Sequence, residues 1–424
     1  METAVSTKQG KVEGFLSGGA VVFKGIPYAA PPVGELRFRR PQEHEPWEGV
    51  LSCKEFGCSC PQADLSGMDL YGREFYDQPM PALSEDCLYL NVWTPESAAP
   101  DAKLPVMFWI HGGAFMHGTG SEKEFDGEDM ARRGVLLVTI NYRVNAFGFF
   151  AHPGLEKENE EQVSGNYGIL DQIAALKWVR ENIAGFGGDP ENITIFGQSA
   201  GCMSVQAIIS SKLAEGMCRR AILQSGGGLH SLHETPSREQ AHESGRKLME
   251  HLGVSTIAEL REVPAEKLRD AAYAVSGQSL SWTPHVDGWL LEDTTDSAAL
   301  DGKIHDIQYM IGSLADDIGG DDLLQRAGAE FCQNQLKLGR APAYMYYFTR
   351  RLPGDSAGAF HSAELWYVFN TLSRCWRPWE DRDRELADRV AGYWTNFAKN
   401  GDPNAPALPR WEPYTAEGQK CILE

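Results

Sequence analysis

No run of about eighteen apolar residues interrupts this 424-residue chain, so nothing in it reads as a membrane-crossing helix. The N-terminus, METAVSTKQGKVEG, has no basic start followed by an apolar core. A secretory leader is therefore not expected, and a cytoplasmic location is. Positive charge is scarce: 39 Lys and Arg face 59 Asp and Glu, a formal net charge of −20. That balance disfavours nucleic acid and anionic membrane as partners and reads as a solvated acidic surface. Cys58 and Cys60 have no matching Cys/His cluster downstream, so no metal is expected. The cysteines number 9, and an odd count leaves at least one free thiol, which suits a reducing compartment. Internal repeats and low-complexity tracts are also missing.

What is present is an alternation of buried strands and helices. LPVMFWI (104–110), VLLVTINY (135–142), NITIF (192–196), AILQS (221–225), IQYMIGS (307–313) and YMYYFT (344–349) are short apolar runs of β type. Ile169, Ile173, Leu176, Val179 and Ile183 recur at steps of three and four, which is one helix face. A second helix runs through Leu386, Val390, Tyr393 and Phe397 and stops at Gly401. The alternation predicts a single α/β domain over 1–424, with a mostly parallel central sheet flanked by helices. Residues 228–300 are more polar and predict a mainly helical insertion capping the active edge of the sheet.

Gly197-Gln198-Ser199-Ala200-Gly201 joins the strand 192–196 to a helical stretch. A sharp strand-to-helix turn needs small residues on both sides of the serine, strains its backbone and holds its hydroxyl clear of the sheet. The same turn aims the Ala200 N–H at a developing oxyanion. A serine hydroxyl also needs a base, and acyl transfer needs donors for the negative oxygen. His111-Gly112-Gly113-Ala114 follows the strand ending at Ile110 and meets the second need with side-chain-free N–H groups. In the order serine, acid, histidine, His361 is the best base, since it lies in a loop beyond the strand 344–349. His230, His233 and His242 sit in the polar insertion, and His285 and His305 precede the acid. Asp316 and Asp317 both follow the strand 307–313; neighbouring residues point different ways, so only one can hold the base, and the residues alone do not choose.

Together these segments resemble the type-B carboxylesterases, the group that contains cholinesterases and para-nitrobenzyl esterases. The resemblance rests on FKGIPYAAPPVGELRFRRP (23–41), SEDCLYLNVWTP (84–95), FWIHGGAF (108–115), NYRVNAFGFF (141–150), the run 165–201, GAFHSAEL (358–365) and WTNFAKNGDPN (394–404), in family order. It implies an α/β-hydrolase fold and a serine carboxylic-ester hydrolase for small or aromatic esters, working through an acyl-enzyme with no metal or organic cofactor. It implies Ser199 as nucleophile, His361 as base, Asp317 as acid in place of the usual glutamate, and an oxyanion hole at Gly112, Gly113 and Ala200. Gln198, where cholinesterases carry an acidic residue, and Trp366 are candidate substrate contacts, with Trp376 and Trp379 close by. A lipase or amidase on the same fold is the alternative enzyme. The alternative of another class is a non-catalytic adhesion protein, whose members lose the nucleophile that stands here at Ser199.

The chain also departs from the family pattern. Only 44 positions separate Asp317 from His361, where relatives carry roughly twice as many. The missing stretch would fall at GGDDLL (319–324). The segment between Cys60 and Cys87 matches a loop that secreted relatives close with a disulfide and that cytoplasmic relatives can leave open. Residues 61–86 contain no tryptophan, which speaks against choline esters.

Overall fold

The computed structural model describes residues 2–67, 70–99, 101–232, 234–277, 280–320 and 322–424. Three short strands, β1 (Ala4–Ser6), β2 (Lys11–Glu13) and a later partner, Val50–Ser52, form a small sheet. Taking that partner as β5, the central sheet begins with β3 (Phe15–Ser17), β4 (Ala20–Pro27), β6 (Tyr89–Pro95), β7 (Leu104–Ile110) and β8 (Leu136–Ile140). It continues with β9 (Gly188–Gln198), β10 (Arg220–Gln224), β11 (Gln308–Leu314), β12 (Tyr344–Phe348) and β13 (Cys421–Leu423). Across the sheet the order is β13-β12-β11-β10-β9-β7-β8-β6-β4-β3. The pairings from β8 through β13 are parallel, and β3, β4 and β6 add an antiparallel edge.

Both faces of the sheet are covered, which is why its strands read as continuous apolar runs rather than alternating ones. On one face Ile110, Ile140, Ile195 and Leu223 pack with the helix Tyr167–Asn182; on the other, Trp109, Phe196 and Ile222 pack with the helix Asp381–Asn400. That second helix ends at Gly401, whose φ of 76° supplies the left-handed C-cap. Strand limits differ from the sequence reading by a few residues. β9 runs longer than NITIF because backbone pairing with β7 reaches back to Gly188.

The insertion 228–300 carries the helices Arg238–Leu252, Ile257–Arg261, Ala265–Ser276 and Thr295–Leu300. It forms the crossover from β10 to β11. The Tyr273 hydroxyl donates to the Met116 carbonyl at 2.9 Å, and the Arg37 guanidinium donates to the carbonyl oxygens of Leu260, Arg261 and Val263. Among the described residues, no helix is long and apolar enough to cross a membrane.

Candidate active site

Parallel register brings the C-terminal ends of the central strands to one edge. Ile110 pairs with Gly197, Gln198 with Gln224, Gln224 with Gly312, and Leu314 with Phe348. The segments after β7, β9, β10, β11 and β12 therefore meet, although up to about 250 residues of chain separate them.

Ser199 stands between β9 and the helix Ala200–Ile209 with φ 57° and ψ −126°, a conformation that a side chain adopts only under constraint. Its N–H donates to the Gln224 carbonyl at 2.9 Å, which ties the strained residue to β10. The flanking glycines are steric requirements: a Cβ on Gly201 would lie 2.0 Å from the Ile110 carbonyl oxygen, and one on Gly197 would lie 2.5 Å from the Gly201 carbonyl group. At Gly112 a Cβ would come within 2.8 Å of the Gln198 carbonyl oxygen and 3.2 Å of the Ser199 Cβ, so the loop after β7 lies against the nucleophile. Among the described residues the N–H groups of Gly112 and Gly113 donate to no protein acceptor. Ala200 is the first residue of its helix, and its N–H has no intrahelical partner. Gly112 and Gly113 line the cavity beside Ser199, and Ala200 follows it directly in the chain.

His361 follows β12, and its Nδ1 lies 2.5 Å from Asp317 Oδ1. The Asp317 carboxylate also accepts from the Ser225 hydroxyl at 2.7 Å and from the N–H groups of Leu314 at 2.9 Å and Ile318 at 3.0 Å. Burial pushes this carboxyl up, but the bonds from His361, Leu314 and Ser225 outweigh it and hold Asp317 below the ordinary carboxylate range. A carboxylate on Nδ1 fixes the proton there and makes Nε2 the basic nitrogen of the ring. Asp316 turns the other way: its Oδ2 accepts from the Ala359 N–H at 2.8 Å and pairs with Arg351 at 3.2 Å. The geometry thus distinguishes the two aspartates, and the one that meets His361 is Asp317.

A cavity of about 260 Å³ opens over this group, lined by Gly112, Gly113, Gln198, Ser199 and His361. Tyr71, Phe75, Tyr76, Phe125, Ile318 and Leu365 supply an apolar wall. Tyr71, Phe75 and Tyr76 belong to the loop noted for lacking tryptophan; the sequence signal was the aromatic cluster itself, which nothing local tied to Ser199. The Tyr71 hydroxyl donates to the His361 carbonyl at 3.2 Å. Glu122 and Glu124 also line the cavity, and burial raises both carboxyls. Among the described residues neither forms an ion pair.

Trp366 does not line this cavity. It is fully buried, stacks on Phe75 with ring centroids 5.5 Å apart, and donates from Nε1 to Glu74 Oε1 at 2.9 Å. The expected substrate contact is thus a support behind the wall, because the Glu74–Arg377 ion pair draws its indole N–H into the core. Trp376 also donates to Glu74, at 3.1 Å, while Trp379 donates to the Leu372 carbonyl at 2.6 Å. Gln198 does line the cavity: its Nε2 lies 3.1 Å from His361 Nε2 and 3.5 Å from Nδ1. The described part of the insertion, 228–300, contributes nothing to the wall, and His233 lies outside the described residues. Two neighbours that the sequence reading passed over are Ser225 and Glu364. Glu364 is buried and accepts from Gln224 Nε2 at 3.2 Å; burial and the nearby Asp317 charge push its carboxyl up to about 8. No group of His, Cys, Asp and Glu among the described residues has the arrangement of a metal site.

The carboxylesterase family model matches residues 1–321 and 320–423. The chain belongs to the carboxylesterase family. It is a carboxylic-ester hydrolase on the α/β-hydrolase fold. It is 34% identical to the para-nitrobenzyl esterase of Bacillus subtilis (strain 168) over 479 aligned positions, covering 99% of this chain and 94% of that protein. It is 32% identical to the fumonisin B1 esterase of Sphingopyxis macrogoltabida, covering 97% and 85% of the two chains. A solved para-nitrobenzyl esterase structure superposes with a TM-score of 0.89 at 34% identity, covering 100% of this chain and 96% of the other. The two family segments meet at Gly320, within the GGDDLL stretch whose Asp321 lies outside the described residues. The 479 aligned positions exceed the 424 residues here, so the Bacillus relative carries segments that this chain lacks.

Proposed function

We propose that Ser199, His361 and Asp317 form the catalytic triad of this esterase, that Gly112, Gly113 and Ala200 supply its oxyanion hole, and that its substrates are small or aromatic carboxylic esters. The observation that carries the reading is the convergence of a strained Ser199, a His361–Asp317 pair and free backbone donors on one apolar cavity. Ser199 Oγ attacks the ester carbonyl while His361 Nε2 takes its proton. The carbonyl oxygen gains negative charge and is held by the three N–H groups. His361 then protonates the departing alkoxide, which leaves as the alcohol. Water repeats the attack on the acyl-serine, and the acid is released with Ser199 restored. Asp317 stabilises the imidazolium without taking its proton.

The aromatic wall of Tyr71, Phe75 and Tyr76 favours flat or short apolar groups, and the cavity volume suits a small acyl or aryl part. Cys60 and Cys87 are both buried free thiols, and a cytoplasmic location is part of the same reading. Hydrolysis of short-chain para-nitrophenyl esters by the wild type and by Ser199→Ala tests the reading. Activity that falls by several orders of magnitude in the variant, with unchanged thermal unfolding, is the expected result. Equal rates in both would remove Ser199 from the mechanism.

A further inference from the structure

Nδ1 and Nε2 stand on opposite flanks of an imidazole ring. An amide nitrogen donating in the ring plane to the Nε2 lone pair would lie far from Nδ1. Gln198 Nε2 is instead nearly equidistant, 3.1 Å from His361 Nε2 and 3.5 Å from Nδ1. Only a position over the ring face gives both distances. The amide nitrogen thus sits over the face of the base rather than in its plane on the Nε2 lone pair. Gln198 is 3% exposed, and its Oε1 lies 3.3 Å from where a Cβ on Gly112 would stand. The side chain is therefore held between the oxyanion loop and the imidazole.

We propose that Gln198 is a positioning residue for the base: its amide clamps the His361 ring from the face, and its neutrality sets how far activity extends into acid. The inference rests on the esterase reading above. In the catalytic cycle the imidazole becomes an imidazolium. A carboxylate on its face would stabilise that charged form and hold a proton on Nε2 at higher pH, where the group could not act as base. An uncharged amide gives no such stabilisation. The other ionisable groups around His361 are Asp317 on Nδ1, Tyr71 on the backbone carbonyl and Glu364, whose carboxyl is held by Gln224. Glu122, Glu124 and His117 share the cavity. All of these are unchanged by a substitution at 198, so a difference between variants reports on that position.

The test compares Gln198→Glu and Gln198→Ala with the wild type in two readouts. One is the acid limb of kcat/KM for a short-chain para-nitrophenyl ester. The other is the His361 imidazole titration, followed by NMR in full-length chain labelled with 13C-histidine and assigned through its loss in His361→Gln. The inference expects Gln198→Glu to move both midpoints upward by about one to three pH units. It expects Gln198→Ala to lower kcat by roughly ten- to a hundredfold with little change in KM, because the ring loses its clamp. Unmoved midpoints in Gln198→Glu would overturn it. Should that variant not fold, a Gln198→Ala enzyme with wild-type kcat would overturn it equally. If no form hydrolyses the ester, the esterase reading fails, while the NMR titration of the glutamate variant still decides the role of Gln198.

Discussion

Replacing Asp317 by asparagine keeps the shape of the acid and removes one acceptor, so its consequence can be worked from the four donors around it. The Oδ2 site receives the Leu314 N–H and the Ser225 hydroxyl; the Oδ1 site receives the Ile318 N–H and His361 Nδ1. Asparagine must place its NH₂ at one of the two. At the Oδ2 site it would oppose the Leu314 N–H, which belongs to a residue 3% exposed, and an unpaired buried donor costs about 1–3 kcal/mol. At the Oδ1 site it opposes the N–H of Ile318, a residue 42% exposed, where water can replace the bond. The NH₂ therefore turns toward His361, and Nδ1 must accept instead of donate. The imidazole proton moves to Nε2, and the lone pair that the proposed mechanism uses on Ser199 is lost. We expect kcat to fall by about 10⁴, or about 5.5 kcal/mol of transition-state stabilisation. Asp316→Asn, whose carboxylate faces Arg351 and Ala359, should cost less than about tenfold. Steady-state hydrolysis of a para-nitrophenyl ester by both variants measures the contrast. A loss of less than roughly tenfold in Asp317→Asn, or an equal loss in both, would refute the reasoning.

Gly112→Ala should lower kcat by about 10²–10³ with a smaller change in KM, since the new Cβ would push against the Gln198 carbonyl oxygen at 2.8 Å and shift a proposed oxyanion donor; wild-type kcat would exclude that loop from transition-state binding. The Glu364 carboxyl, pushed up to about 8 when folded, keeps a proton that the unfolded chain sheds near 4.5. The stability this contributes is full below about 4.5 and lost as pH rises toward 8, so Glu364→Gln should gain on the wild type by about 1.4 kcal/mol per pH unit across that window. Urea unfolding at pH 5 and 8 checks it, and a constant difference between the two proteins would contradict the assigned protonation. Trp366→Phe keeps an aromatic ring against Phe75 but removes a donor to Glu74, at a cost of about 1–3 kcal/mol in stability. Its KM should stay near the wild-type value if the indole supports the wall; a large rise in KM with unchanged unfolding would instead make it a substrate contact.

The local geometry of the strand-to-helix turn at Ser199 was legible in the chain because it is a short-range requirement. A strand, a strained serine and glycines with no room for a Cβ are contiguous at 192–201, as are the strand and glycines of the loop at 104–113. The alternation of apolar runs likewise forecast a sheet covered on both faces, since burial on both sides leaves its mark residue by residue. What tertiary structure alone decided were choices between residues of equal local character. Asp316 and Asp317 are identical in type and adjacent, and only the bridge of Asp316 to Phe360, with the Leu314 and Ser225 donors beside Asp317, assigns them different partners. Trp366 looked as eligible for the cavity as any aromatic near His361 until the Glu74 carboxylate, 292 positions away, drew it inward. Tyr71, Phe75 and Tyr76 reached the wall, and Gln198 the face of the base, by contacts between segments far apart in sequence. Sequence spacing encodes what a strand or turn must be, whereas the direction of a side chain across a sheet edge depends on strand register, which only the assembled sheet sets.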